Sequence, residues 1–395
     1  MTALTVNSSP VLLTYCSNVH PGETLESICD TLDRFTVKIR SGIFPDRPMG
    51  LGLWLPAAVA ARLRDEKARA GFREFLARRE LFVFTLNAFP YGGFHERRVK
   101  QHVFEPSWAD RRRLQYTLHC ADALAGLLPE GLTGSISSLP LGHAAAGYGR
   151  EQQKAAVRHL RELGESLQER FRRTGVSIVV GLEPEPTAAL ETIQQGVEFL
   201  NEAVFDGEDD PLRQSIGLCL DACHESVMHQ DLELSLARIR EGGVRLAKIQ
   251  ITSALELMQP LHDRLLLERL KSFDEGRYLH QVVVKDARGG LTLYPDLEPF
   301  FSALESGRLP ADPVSLRTHF HVPVFARSLD GLTTTRPELE RFLKLAVTSG
   351  LTDQFEVETY TFGVIPDRER SGMGALDLGS ALIRELRFAR DSLGG

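Results

Sequence analysis

Short apolar segments alternate along the chain with longer segments of helical periodicity. In the segment 151–173, one face carries the apolar residues Ala156, Leu160, Leu163 and Leu167, and Arg and Glu fill the other face. Nine apolar segments have the pattern of buried strands: 11–20, 49–56, 81–90, 133–143, 176–186, 215–224, 244–254, 316–325 and 355–362. Strands that alternate with helices in this way predict an α/β protein with crossover connections and a parallel sheet.

Most of these apolar segments carry a polar residue near their C-terminal end. These residues are His20, Asn87, His143, Glu183, Asp221, Gln250 and Glu358. The C-terminal ends of the strands converge on one face of a parallel barrel, whereas they are spread along a crevice in an open sheet. No GxGxxG or GxxxxGK[ST] motif follows an early strand, which counts against a nucleotide-binding sheet. The pattern therefore predicts a (β/α)8 TIM barrel with its site at the C-terminal face.

The strand candidates exceed the eight places of a barrel by one. The segment 278–297, YLHQVVVKDARGGLTLYPDL, has the pattern of a β-hairpin with its turn at 286–290. We therefore predict a single domain over residues 1–395, with an inserted β-hairpin late in the chain at about 275–315. The segment THFHV, 318–322, fits either the insertion or the barrel, and both alternatives stay open.

Composition and charge exclude several classes of function. The chain has 395 residues, of which 25% are charged, and its net charge of -7 gives no general reason to expect nucleic acid as a partner. The five cysteines are odd in number and show no CxxC spacing, which favours free thiols in a reducing compartment. The first residues lack the features of a signal peptide, and no apolar run is long enough to span a bilayer. We therefore expect a cytoplasmic protein without membrane insertion.

Three acidic residues are the main candidates for chemistry. Glu183, Asp221 and Glu358 each end a segment that is otherwise apolar. Three carboxylates that converge in a low-dielectric cup repel one another, and a bound divalent cation removes that repulsion. Oxygen ligands joined by an imidazole or an amide suit Mn, Mg, Zn or Co. The alternative is that one or two of these acids form salt bridges or cap the helices that follow.

Other polar residues near the strand ends extend this candidate site. His224 lies three residues after the second acid and could bind a metal or a substrate hydroxyl, although it could equally be a histidine at a helix N-terminus. His319 and His321 would share one face of a strand, where they are either metal ligands or half-buried strand residues. Gln250 is a weak neutral ligand, and Lys248 could polarise a carbonyl or hold an anion.

Three short motifs resemble those of the xylose isomerase-like barrels, which include sugar isomerases, ketose 3-epimerases and the endonuclease IV type. The motifs are GLEPEP, LCLDACH and VETY. In the epimerases a strand-end Glu, an Asp followed by xx-His, a His and a final Glu bind one divalent metal. The resemblance implies that Glu183, Asp221 and Glu358 are metal ligands and that His224 contacts the substrate.

The chain departs from this pattern at the histidine ligand. The stretch from Asp221 to Gln250 has the length of one helix and one strand, so it brings Gln250 to the place of that histidine. His319 or His321 would replace it, much as the endonucleases use an Asp-x-His pair. This departure puts catalysis by the epimerase route in doubt.

Longer segments resemble the metabolite traffic protein EboE family, which is itself a xylose isomerase-like barrel. They are TYCSNVHPGETL, YLHQVVVKD, THFHVPVF and EVETYTFGVIP, and they are spread over nearly the whole chain. This resemblance implies a place in a bacterial gene cluster that makes or moves a secondary metabolite, with other proteins of that cluster as partners. It does not imply a known reaction.

These observations lead to one main hypothesis and two alternatives. The main hypothesis is metal-assisted isomerisation or epimerisation of a small polyhydroxylated or phosphorylated metabolite, with Glu183 and Glu358 moving the proton. The alternatives are an endonuclease IV-like phosphoesterase and a non-catalytic protein that binds or hands over a metabolite. The predicted metal ligands are Glu183, Asp221, Gln250, His321 and Glu358. The residues predicted to contact the substrate are His20, Asn87, His224, Lys248 and His319.

Overall fold

Strands and helices alternate through most of the chain, as the sequence predicts. The structure is a computed structural model that describes residues 4–6, 9–363 and 377–394. The strands are β1 (Leu4–Val6), β2 (Ser9–Tyr15), β3 (Met49–Trp54), β4 (Leu81–Asn87), β5 (Gly134–Ser138), β6 (Ile178–Leu182), β7 (Ile216–Asp221), β8 (Arg245–Ile251), β9 (Leu255–Met258), β10 (Val282–Asp286), β11 (Leu291–Tyr294), β12 (Pro313–Thr318), β13 (Ser328–Leu329), β14 (Leu332–Thr334) and β15 (Gln354–Val357). The helices are α1 (Leu25–Thr31), α2 (Val37–Ile43), α3 (Ala57–Arg62), α4 (Glu66–Ala77), α5 (Arg111–Leu127), α6 (Arg150–Thr174), α7 (Ile193–Phe199), α8 (Ala222–Val227), α9 (Leu232–Glu241), α10 (Arg264–Lys271), α11 (Leu297–Glu305), α12 (Arg336–Ser349) and α13 (Leu378–Leu393).

The larger sheet is a nearly closed parallel barrel. Its strand order is β1-β2-β15-β8-β7-β6-β5-β4-β3, in which all pairs are parallel except β1 with β2. The two outer strands of the parallel set, β2 and β3, meet through a bridge between Cys16 and Gly52 and a 2.8 Å hydrogen bond from Thr14 Oγ1 to the carbonyl of Gly50. The predicted (β/α)8 TIM barrel is therefore confirmed.

An inserted antiparallel sheet accounts for the ninth strand candidate. Among the described residues this sheet has the order β11-β10-β12-β9-β14-β13. The predicted hairpin is β10 and β11, whose register pairs Val282 with Tyr294. Strand β12 pairs with β10 and β9, so it belongs to the insertion and not to the barrel. The sheet begins at Leu255 and ends at Thr334. It therefore includes strands on both sides of the insertion that the sequence predicts at about 275–315.

The prediction that His319 and His321 share a strand face is wrong. Strand β12 ends at Thr318, and both histidines lie in the irregular segment that follows it. The chain leaves the inserted sheet after Thr318. The backbone N–H of His319 still donates to the carbonyl of Gln281, but the backbone N–H of Val322 donates to the carbonyl of Ser253. Both side chains are nevertheless buried at the C-terminal end of the barrel, as described below.

Helix α6 shows how the amphipathic pattern builds the outer layer. The predicted helix over 151–173 is confirmed, and all four of its predicted apolar residues are buried. The helix ends where Gly175 adopts a φ of 72°, a left-handed conformation that glycine enters without a Cβ clash. Each fully buried leucine of this kind contributes roughly 1.5–3 kcal/mol of hydrophobic free energy. Burial of the apolar faces of helices such as α6 therefore stabilises the barrel whose strand ends carry the site.

The last of the resembling segments, EVETYTFGVIP, extends to residue 366. Residues 364–366 lie outside the described part of the chain.

Candidate metal centre

Three acidic side chains from three strands meet at the C-terminal end of the barrel. Asp221 is the last residue of β7, and Glu183 and Glu358 directly follow β6 and β15. Each has a carboxylate oxygen within 4.8 Å of an oxygen of the other two, and all three side chains are buried. In a parallel barrel the last residues of the strands lie together at the C-terminal face, and the three acids have this arrangement.

One oxygen of Asp221 and one of Glu358 are held by hydrogen bonds. Asp221 Oδ1 accepts from Thr252 Oγ1 at 2.7 Å and from the backbone N–H of His224 at 2.9 Å, so Asp221 also caps α8. Glu358 Oε1 accepts from the side-chain amides of Asn18 and Asn87 at 2.6 and 2.8 Å. These bonds fix the orientation of both carboxylates.

Two other carboxylate oxygens of the cluster are buried without compensation. Glu183 Oε2 and Asp221 Oδ2 have no hydrogen-bond partner within the residues that the structure describes. Leaving a buried charged acceptor unpaired costs at least about 1–3 kcal/mol, and a cation in contact with these oxygens would remove that cost. The three acids therefore fit a bound divalent ion.

The pKa shifts of the acids in this cluster also fit a bound divalent ion. Burial raises the pKa of Glu183 well above its ordinary value, and the neighbouring charges of Glu358 and Asp221 raise it further. Burial, followed by the charges of Asp221 and Glu356, raises the pKa of Glu358 to about 8. The protein without a cation therefore holds protons on this cluster at neutral pH, and a divalent ion would displace them.

Gln250 lies on β8, between the strand that carries Asp221 and the strand that precedes Glu358. It lies opposite Asp221 in the register of β7 and β8 and opposite Glu356 in that of β8 and β15. Its side chain is fully buried, and in residues 9–363 and 377–394 neither its amide oxygen nor its amide nitrogen finds a hydrogen-bond partner. A buried amide without partners is costly, and its oxygen suits a hard cation.

Three buried imidazoles lie beside the acids. Nδ1 of His224 donates to the carbonyl of Pro184 at 2.9 Å, and Nδ1 of His321 donates to the carbonyl of Glu358 at 2.8 Å. In each ring this leaves Nε2 as the atom that can bind a ligand, and the two Nε2 atoms are 3.4 Å apart. Nδ1 of His319 lies 2.7 Å from the amide oxygen of Gln281.

Two of these imidazoles, His319 and His321, are suited to bind a cation because burial keeps them neutral. Burial lowers the pKa of His321 to about 4 and that of His319 well below its ordinary value. Three further groups of side chains have the spacing of metal ligands: Asp221 with His224 and His321, Glu185 with His224 and His319, and Cys223 with His319 and His321. The ligand-capable residues thus extend continuously from the acids to the histidines.

A pocket opens over this cluster. Its polar side consists of Asn18, Asn87, Glu183, Glu185, His224, His319, His321 and Glu358. Opposite lies a set of side chains that we call the apolar wall: Phe94, Val99, Val103, Tyr278 and Tyr360. The predicted substrate residues Asn87, His224 and His319 therefore line one pocket together with the acids.

Two predicted substrate residues lie elsewhere, and we correct both. Lys248 is fully buried inside the barrel, where its ammonium forms an ion pair with Glu356 and donates to the carbonyl of Leu86 at 3.4 Å. Burial alone would lower the pKa of Lys248, but the charge of Glu356 raises it above its ordinary value. Lys248 precedes Gln250 by two residues, so it lies about 6–7 Å deeper in the barrel than the site.

His20 is buried beside the pocket and does not line it. Its ring stacks on Phe35 with 4.8 Å between centroids, and Nε2 lies 3.1 Å from the hydroxyl of Tyr15. The chain makes one turn of 3-10 helix at Ser17–Val19 before it reaches His20. That turn brings Asn18 to Glu358 instead.

Several residues in and around the pocket are not among the site residues predicted from the sequence. Glu185 accepts from the amide of Gln281 at 3.1 Å and lies 3.6 Å from Nδ1 of His319. Burial raises the pKa of Glu185 to about 7. Its signal was present, because it is the second acid of the motif GLEPEP. Tyr360, which also lines the pocket, is the last residue of the motif VETY.

The fold and these side chains define a (β/α)8 barrel with a candidate metal centre at its C-terminal face. Within the part of the chain that the structure describes, every helix is too short or too polar to cross a bilayer. No family model matches the chain, and no curated protein does. The EboE resemblance therefore stays an expectation of the sequence.

Comparison with solved structures gives remote likenesses. One is to the probable 3-DHS dehydratase AsbF involved in petrobactin synthesis from Bacillus anthracis, with 12% identity, 95% of this chain and 97% of that chain covered, and a TM-score of 0.47. Another is to the IOLI protein with a binding zinc atom, with 13% identity, 97% and 98% covered, and a TM-score of 0.48. A third is to a D-tagatose 3-epimerase-like protein, with 11% identity, 97% and 100% covered, and a TM-score of 0.48. At this level of similarity they assign no activity to the chain.

Proposed function

We propose that the protein is a metal-dependent isomerase or epimerase that acts on a small oxygenated metabolite. The observation that carries the proposal is the cluster of Glu183, Asp221 and Glu358, whose oxygens lie within 4.8 Å of one another. These three would hold a divalent ion (Mn, Mg, Zn or Co), with Gln250 and His321 as further ligands. When bound, such an ion supplies polarisation of a substrate carbonyl.

The residues of the pocket have separate roles in this proposal. Glu183 and Glu358 take a proton from one carbon and return it to a neighbouring carbon or to the other face, because both carboxylates line the pocket where the substrate would lie. His224, His319 and Asn87 bind and orient the oxygen-bearing end of the substrate. The apolar wall excludes water from that end.

The resemblance to EboE supports a narrower proposal about context. The substrate would then be an intermediate of a bacterial secondary-metabolite pathway, and other proteins of the gene cluster would be partners. A small polyhydroxylated or phosphorylated compound is the substrate class that the xylose isomerase-like resemblance favours.

Metal content tests the first step of the proposal. The wild-type protein is expected to hold stoichiometric divalent metal after loading and desalting, and Asp221→Ala is expected to lose it. Asp46→Ala removes an exposed acid far along the chain from the cluster and serves as the matched control. Equal metal in Asp221→Ala and wild type, or none in the wild type, would contradict the proposal.

Solvent exchange tests the second step. A substrate identified by co-purification and incubated with metal-loaded protein in D2O is expected to gain deuterium at carbon, because isomerisation and epimerisation both move a carbon-bound proton. A protein that holds metal and binds the compound without exchange would instead be a metabolite-binding or traffic protein. Gln250 in the place of the histidine ligand is the observation that favours this alternative.

A second enzymatic candidate is metal-assisted phosphoester hydrolysis. Asp221, His224 and His321 form a further ligand-capable group next to the acids, which would allow more than one metal ion. Release of nitrophenol from bis(4-nitrophenyl) phosphate by metal-loaded protein, and its loss in His224→Ala, would establish this candidate.

A further inference from the structure

The pocket over the acid cluster has an apolar side as well as a polar side. The apolar wall is a packed unit: the ring of Phe94 lies 5.2 Å from that of Tyr278 and 5.4 Å from that of Tyr360, and the two tyrosine rings are 5.0 Å apart. Trp54 backs this unit with its ring centroid 5.9 Å from Phe94. Aromatic rings held against one another in this way form a rigid apolar surface.

The wall is built from three distant parts of the chain that are tied together. Phe94, Val99 and Val103 come from the long connection after β4, Tyr278 comes from the insertion, and Tyr360 follows β15. The backbone N–H groups of residues 99 and 100 both donate to the carbonyl of Arg277, at 2.9 and 2.8 Å. The apolar wall therefore forms where the insertion packs against the connections of the barrel.

The wall offers a ligand almost no polar partner. Of its five side chains only the two tyrosines carry a polar atom, and the hydroxyl of Tyr278 donates to the carbonyl of Phe94 at 3.3 Å. Among the described residues that line the pocket, Lys100 is the one lysine or arginine, and its ammonium lies 2.6 Å from Asp296. A phosphate at this side of the pocket would therefore have no unpaired cation.

The same chemistry counts against a compound with hydroxyls along its whole length. Such a compound could stack a C–H face on an aromatic ring, but its outer hydroxyls would then lie against Val99 and Val103. Each hydroxyl buried without a partner costs roughly 1–3 kcal/mol, whereas an apolar ring at the same place gains free energy from burial.

We infer that the substrate is amphipathic: an oxygen-bearing end lies at the acids and histidines, and an unsaturated or aromatic ring lies against the apolar wall. This inference rests on the proposed function, because it places the reacting end at Glu183 and Glu358. It deepens that function by replacing a sugar or sugar phosphate with a hydroxy-carbonyl compound that carries a ring.

Two probes with the same reactive end test the inference. 2-Hydroxyacetophenone and erythrulose are both open-chain hydroxymethyl ketones, and they differ in having a phenyl ring or a hydroxylated tail. On metal-loaded wild-type protein, titration calorimetry is expected to show tighter binding of 2-hydroxyacetophenone by roughly 10- to 100-fold, which corresponds to burial of one phenyl ring. Equal or tighter binding of erythrulose, or binding of neither probe, would overturn the inference.

A pair of matched variants locates the preference. Val103→Asn adds a polar group to the apolar wall and is expected to reduce the affinity ratio at least about threefold, because the ring then desolvates an amide. Val176→Asn makes the same change at a half-buried valine just before β6, at the other end of the barrel, and is expected to keep the wild-type ratio. An unchanged ratio in Val103→Asn would also overturn the inference.

Metal content measured on the same samples separates this inference from the proposed function. Val103→Asn is expected to hold as much metal as the wild type, since Val103 belongs to none of the groups that could hold the ion. If the wild type holds no metal, the proposed function fails, and the probe ratio is then measured on the metal-free protein. If metal is bound but erythrulose is preferred, only the inference about the substrate fails.

Discussion

Two layers of buried charge lie in the same barrel, and they are balanced in different ways. In the deeper layer the ammonium of Lys248 balances the charge of Glu356, although Glu356 Oε1 has no hydrogen-bond partner among the described residues. In the upper layer Glu183, Asp221 and Glu358 stand together, with uncompensated oxygens on the first two. A buried charge needs either a counter-charge within the protein or a bound ion. Glu356 has an internal counter-charge, whereas a bound cation would balance the three acids of the upper layer.

The deeper layer also constrains the backbone around it. A Cβ on Gly52 would lie 1.6 Å from Glu356 Oε1, so β3 approaches this carboxylate closely enough to exclude any side chain. The ion pair is therefore enclosed on all sides by strands, and it can act on the upper layer through its charge alone. The positive charge of Lys248 opposes the rise in pKa that burial imposes on Glu183 and Glu358.

Breaking the deeper pair is expected to have the largest effect on stability. Lys248→Met leaves Glu356 buried without a partner, and the free energy of unfolding is expected to fall by about 3–5 kcal/mol. The double variant Lys248→Met/Glu356→Gln removes both charges and is expected to recover much of the loss. Urea unfolding followed by circular dichroism measures both. A cost below about 1 kcal/mol in the single variant would mean that the pair is not what balances this layer.

In the upper layer the expected loss is in turnover rather than in stability. Glu358→Gln keeps the shape of the side chain and removes the base, so solvent exchange into the substrate is expected to slow by about 10²–10⁴-fold. Metal content must be measured in the same sample, because a variant that loses its metal would confound the two roles. Full exchange by a metal-loaded Glu358→Gln protein would show that this residue moves no proton.

A smaller effect is expected from a side chain that orients a ligand without being one. Thr252→Val removes the 2.7 Å hydrogen bond to Asp221 Oδ1, together with the 2.7 Å bond that Thr252 Oγ1 accepts from the backbone N–H of Cys223, with little change in volume. Metal affinity is then expected to fall about 10- to 100-fold, as is usual for the loss of a group that orients a metal ligand. Ser41→Ala, at an exposed serine of α2, is the control that should leave affinity unchanged. Unaltered affinity in Thr252→Val would mean that Asp221 needs no such support.

The pH dependence of stability sharpens the contrast between the metal-free and the metal-loaded protein. The pKa of Glu358 is raised to about 8 and that of Glu183 is raised well above its ordinary range, so the folded state keeps protons that the unfolded state has released. The free energy of unfolding of the metal-free protein is therefore expected to fall as pH rises, by about 1.4 kcal/mol per pH unit for each such carboxyl.

The window from pH 6.5 to 8 isolates this effect. The neutral buried His321, whose pKa is lowered to about 4, makes stability rise with pH, but only below the ordinary histidine value. Burial also raises the pKa values of Glu185 and Glu385, which add a slope of the same sign. Saturating metal should remove the part of the slope that belongs to Glu183 and Glu358. Identical slopes with and without metal in urea titrations would contradict this expectation.

The local patterns of the sequence predict much of the barrel and its acid cluster. Strand ends are local features, so the polar residue that closes each apolar run could be identified without knowing the fold. Glu183, Asp221 and Glu358 are of this kind, and so is the amphipathic helix α6. Parallel packing then brings the strand ends together.

The errors arise where the position of a side chain depends on depth or on long-range pairing. Lys248 and Gln250 share a face of β8, but the two-residue step between them places Lys248 one layer below the site. His20 is diverted by the short helical turn before it. The placement of β12 in the insertion depends on its pairing with β9 and β10, which no local pattern encodes. The apolar wall likewise depends on contacts between segments far apart in sequence.

The most direct test of the account is a crystal structure of the protein soaked with Mn or Zn and measured at the absorption edge of the metal. The account predicts one anomalous peak in contact with carboxylate oxygens of Glu183, Asp221 and Glu358, and with the amide oxygen of Gln250 or Nε2 of His321 as a further ligand. The deeper Lys248–Glu356 pair should show no peak. Density that lacks an ion at the three acids, or that places it only on His224 and His319, would contradict the central claim.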